Sequence, residues 1–126
     1  MIKTLLMVFL GGGLGSLGRY LISTNVNKLT AYNFPLGTFI VNILGSFLLG
    51  FFLISLNKSA NESAQMWSLL LITGFCGGFT TFSTFTAENF NYLQNGAYLN
   101  FFIYTLVSIT IALLMIILGT KLGKLI

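Results

Sequence analysis

The sequence predicts an all-α membrane protein: one domain over residues 1–126 with four transmembrane helices, the third broken in mid-membrane. Three observations predict it. Only 6% of the 126 residues are charged, against about 25% in a soluble domain, too few to build a water-facing surface. The charges are Lys3, Arg19, Lys28, Lys58, Glu62, Glu88, Lys121 and Lys124, and they leave uncharged tracts at 29–57, 63–87 and 89–120. Each tract exceeds the roughly 20 apolar residues that cross a bilayer. The third observation is "GGFTTFSTFTAENF", Gly77 to Phe90, where hydroxyls interleave with rings behind paired glycine inside such a tract. The spans are read as about 2–24, 35–56, 66–92 and 97–120.

The first span opens with Lys3 and an apolar run, which imitates a signal peptide. The rest of the chain is just as apolar, so the run is read as a helix that continues past Arg19 through "YLIST". Gly13 to Gly18 matches G-x-G-x-x-G. A dinucleotide fold also needs an acid about 20 residues later, and none precedes Glu62. Helix packing explains the glycines better. Gly11 and Gly15 are four apart, as are Ser46 and Gly50, Gly74 and Gly78, and Gly119 and Gly123. Small residues at that spacing let backbones approach closely in lipid.

Pro35 suits the start of the second span. Within it Thr38, Asn42 and Ser46 form a stripe at a spacing of four. A polar group in hydrocarbon is costly without a partner, so Asn42 either bonds another helix or faces a permeating species.

The third span carries Gly74, Gly77 and Gly78 ahead of Thr80, Thr81, Ser83 and Thr84. Paired glycine and β-branched threonine disfavour regular helix. A break frees carbonyls and amides, tolerated at depth only inside protein or along a cavity. Transporters hold ions at such breaks. Phe82 and Phe85 share a face, and the positive edge of a ring suits an anion, as do the neighbouring hydroxyls. The plainer reading is that the rings pack. Glu88 is the one acid at membrane depth; it either serves the same path or reaches the interface.

In the fourth span Tyr104 and Ser108 share a face that Ala112 continues. Tyr104 could equally anchor at the interface, and a lone serine often bonds back to its own helix. Alternation of the spans places Lys3, Lys58, Lys121 and Lys124 on one side and Arg19 and Lys28 on the other, a weak positive-inside bias. With no histidine and only Cys76 as a thiol, the chain offers no nucleophile–base pair and no side-chain metal cluster. It is not read as an enzyme.

At these residues the sequence resembles the Fluc (CrcB) family of fluoride channels. The likeness lies in "GGxxGSxxRY" at Gly11 to Tyr20, "GTxxVNxxGSFxxG" at Gly37 to Gly50 and "GxxGGxTTFSTF" at Gly74 to Phe85. It implies an antiparallel homodimer in the cell membrane with two fluoride pores along its interface. The implied pore residues are Asn42, Phe82, Ser83, Thr84, Phe85, Glu88, Tyr104 and Ser108, with Arg19 near a vestibule. It further implies a structural sodium ion on the dimer axis, held by the backbone carbonyls of Gly77 and Thr80. Ala112 departs from the serine that members often carry, which leaves the end of the polar track open. The alternative is a small proton-coupled multidrug exporter. Such proteins use an acid in the first helix, and here that helix has none. A third reading, an assembly subunit, would require partners for the mid-membrane hydroxyls.

Overall fold

The computed structural model describes residues 1–29, 34–58 and 61–125. Among these, every regular element is helical. They are α1 (Ile2–Leu29), α2 (Leu36–Leu56), α3 (Glu62–Ser68), a π-helical stretch Leu69–Cys76, α4 (Gly77–Phe79), α5 (Phe82–Gln94) and α6 (Tyr98–Leu125). Elements α3 to α5 form one bent span, Glu62–Gln94, and four helices in all are long and apolar enough to cross a membrane. The first, third and fourth run further than expected: to Leu29, from Glu62, and to Leu125.

The spans pack as two close pairs, α1 with the third span and α2 with α6. Glycine sets both seams. A Cβ on Gly11 would overlap the Leu70 carbonyl, and one on Gly15 the Phe75 carbonyl. One on Gly50 would overlap the Ile116 carbonyl, and one on Gly119 the Phe47 carbonyl. Lipid offers no hydrophobic drive between helices, so contact of this kind is what binds them. Outward faces carry large apolar side chains, such as Phe9, Leu14, Leu106 and Leu113, all exposed.

The break falls at Thr80 and Thr81, not across the glycines. Gly77 and its neighbours keep helical geometry, while Thr80 (φ −79°, ψ 158°) and Thr81 (φ −148°, ψ 117°) are extended. The glycines serve close approach instead: a Cβ on Gly74 or Gly78 would strike the backbone of Gly11 or Gly12. The irregularity that the glycine cluster signalled does begin upstream, as the π-helical stretch before Gly77. Past the break, Thr81 caps α5, its Oγ1 accepting from the Thr84 amide at 3.3 Å. At its far end the span turns at Gly96 (φ 69°), which leads into α6.

Candidate functional site

Asn42 and the extended pair Thr80–Thr81 define the centre of the site. Thr81 N–H donates to Asn42 Oδ1 at 2.8 Å, and Asn42 Nδ2 donates to the Thr81 carbonyl at 3.1 Å. One side-chain amide thus meets both backbone groups of a residue that has left its helix, the requirement that a buried break imposes. Ser46 Oγ donates to the Asn42 carbonyl at 2.7 Å and Thr80 Oγ1 to the Cys76 carbonyl at 2.8 Å. Gly45 makes room for Thr80, since a Cβ there would overlap the Thr80 methyl.

In front of this pair lies an open groove of about 390 Å³. Asn42, Ser46, Thr80, Thr81, Phe82, Phe85 and Ser108 line it, with Ala112 adding a methyl where a hydroxyl would continue the row. Phe82 is 79% exposed at its rim. Its ring stands 6.0 Å from that of Phe85, which in turn lies 5.1 Å from that of Tyr104. Ser108 Oγ is buried and has no hydrogen-bond partner among the described residues. It does not bond back to its own helix, and an orphaned buried hydroxyl invites a ligand or water. Asn42 also has capacity in hand: its NH₂ carries two hydrogens, and one suffices for Thr81.

Behind Phe85 a second network joins three helices. Thr38 Oγ1 donates to Glu88 Oε1 at 2.6 Å, and Tyr104 Oη donates to Glu88 Oε2 at 2.7 Å. Tyr104 is fully buried, with its hydroxyl on Glu88. Ser83 and Thr84 are exposed on the first turn of α5, both within hydrogen-bond reach of Thr81 Oγ1, at 3.3 and 3.0 Å. Arg19 is half-buried on α1 and does not line the groove.

Of the residues singled out from sequence, Asn42, Phe82, Phe85 and Ser108 meet at the groove. Glu88 and Tyr104 meet behind it. Asn89 and Thr105 were not foreseen. Asn89 is buried, donates to the Phe85 carbonyl at 3.2 Å and accepts from Thr105 Oγ1 at 3.0 Å. The available signal was an amide one turn after Phe85 at membrane depth.

The Gly77 and Thr80 carbonyls, named above for a cation, lose the donors that a continuous helix would give them. In an unbroken helix the Gly77 carbonyl would accept from the Thr81 amide and the Thr80 carbonyl from the Thr84 amide. Both amides donate elsewhere, to Asn42 Oδ1 and Thr81 Oγ1.

A family model described as CrcB-like protein, Camphor Resistance (CrcB), matches residues 6–120. The chain belongs to the CrcB/FluC family. A family member from Gloeothece citriformis, named fluoride-specific ion channel FluC, is 51% identical over 83% of this chain and 84% of its own. The FluC of Hydrogenobaculum is 47% identical over 95% and 97%, and that of Phocaeicola vulgatus 44% over 93% and 95%. Like the rest of the CrcB/FluC family, the chain is a multi-pass membrane protein of a transport class, not an enzyme.

Proposed function

We propose that this protein is a fluoride-selective channel that lets cytoplasmic fluoride leave the cell passively. Two pores would run along the interface of an antiparallel homodimer. The groove carries this reading. It is open along one side, and it gathers donors and ring edges while holding no charged side chain. A second copy laid over it would close it into a path.

Fluoride is small and strongly hydrated, so entry demands substitutes for water. The spare hydrogen of Asn42, the Ser108 hydroxyl and the hydroxyls of Ser83 and Thr84 are donors. The edges of Phe82 and Phe85 add positive potential without a formal charge. Glu88 and Tyr104 belong to the same path on this reading, as the polar groups that follow Phe85. Arg19 would raise the local anion concentration at the mouth.

The carbonyls of Gly77 and Thr80, two from each chain, would hold sodium on the dimer axis. A hard cation takes oxygen ligands, and its charge favours anions nearby.

Fluoride efflux from liposomes containing the purified protein, with chloride as control, tests the channel. Fluoride release without chloride release is expected; equal release of both, or of neither, defeats it. Transport that persists after exhaustive removal of sodium and similar cations would defeat the cation site alone.

A further inference from the structure

Where α1 and α3 begin, at the same end of the bundle, Lys3 and Glu62 line one hollow of about 400 Å³. Its inner wall is apolar, made by Met7, Met66 and Leu70, and Trp67 stands beside it, 54% exposed. The hollow lies beside the seam where Gly11 meets the Leu70 carbonyl, at the charged end of two spans, where helices of this length would leave the hydrocarbon. Exposed tryptophan is typical of that level.

Lys3 and Glu62 are both exposed, and neither side chain makes a hydrogen bond or ion pair among the described residues. Two opposite charges thus share the mouth of one pocket without pairing with each other. A ligand that satisfies both must carry an anion and a cation held apart. Its remainder must be apolar enough to lie along methionine and leucine.

We infer that this hollow binds the headgroup of a zwitterionic membrane phospholipid, phosphatidylethanolamine. The phosphate meets Lys3, a compact charge suited to phosphate. The ammonium donates its N–H hydrogens to the Glu62 carboxylate, a charge-assisted bond. The first carbons of an acyl chain follow Met7, Met66 and Leu70. Choline fits less well: it has no N–H to give Glu62, and recognising it takes an aromatic cage, whereas one ring stands here. Phosphatidylglycerol satisfies Lys3 but brings no cation for Glu62.

The hollow shares no lining residue with the groove, so the inference stands apart from the channel reading. Native mass spectrometry of the purified protein in detergent tests it, with equal amounts of palmitoyl-oleoyl phosphatidylethanolamine, phosphatidylglycerol and phosphatidylcholine. The ethanolamine lipid should be retained about threefold over either competitor, the size of one exposed charge pair. Glu62→Gln should remove its advantage over phosphatidylglycerol. Lys3→Gln should lower retention of both by about threefold. Both variants should keep wild-type fluoride efflux, which also shows that they fold. Wild-type protein that retains the three lipids alike would overturn the proposal. So would a headgroup ranking that neither substitution changes.

Discussion

Among the described residues the one ring paired with Phe82 is that of Phe85, and most of the Phe82 surface is open. Phe82→Ile therefore keeps apolar bulk at little structural cost while removing the positive edge. Fluoride flux should fall at least tenfold, a rise of about 1.4 kcal/mol in the barrier, with the protein eluting unchanged from a sizing column. Phe85→Ile should do the same. Unaltered flux in both would leave the rings as packing alone. On the proposed reading Asn42 has two tasks, and Asn42→Asp separates them poorly by flux but well by stability. Aspartate still accepts from the Thr81 amide, but it cannot donate to the Thr81 carbonyl. Thermal unfolding in detergent should show a loss of about 1–3 kcal/mol, the usual result of orphaning a buried acceptor. Flux should drop as well, since a carboxylate beside the path repels an anion. The sequence left Asn42 open between helix partner and pore group; it holds the Thr81 backbone and still has a hydrogen to spare.

At the level of elements, the four spans were legible because charge and hydropathy report solvent directly. The seams were legible too, since spacing by four survives any tertiary arrangement. The exact residue of the break was not. Glycine permits a break but also permits contact, and composition does not separate the two uses. Only the packing of Gly74 and Gly78 against α1 shows that contact claimed them. The extended pair is then the one that Asn42 can reach. Asn89 stayed hidden for a related reason, because an amide that bonds one turn back looks like any polar residue on a helix. Two substitutions test the element scale. Gly11→Val should lower the unfolding temperature in detergent by the equivalent of about 1–3 kcal/mol, as overpacking does. Gly13→Ala, whose Cβ would meet nothing within 4 Å, should leave it unchanged. Thr81→Ala should cost about 1 kcal/mol through loss of the cap on α5, and Thr81→Ser should restore most of it.

For the molecule as a whole, the proposed reading makes one chain half of an enclosure. Its groove is open, and small residues and hydroxyls face outward along it. A closed two-fold pair would place each such face against its counterpart. Cross-linking in mild detergent should trap dimers; recovery of monomers alone would count heavily against the proposed assembly.

Gly77 gives that idea a genetic signature. Within one chain a methyl added there would touch nothing, so the fold of a single chain does not ask for glycine. A single base change turns its codon into one for alanine, and such a position should drift freely. In a library saturated at Gly77 and selected for growth in fluoride, tolerance of alanine would mean that this space stays empty in the cell. Survival of glycine alone, with Gly13 accepting substitutions beside it, would show that something beyond the single chain fills this room, a second chain or an ion in the groove that Gly77 lines.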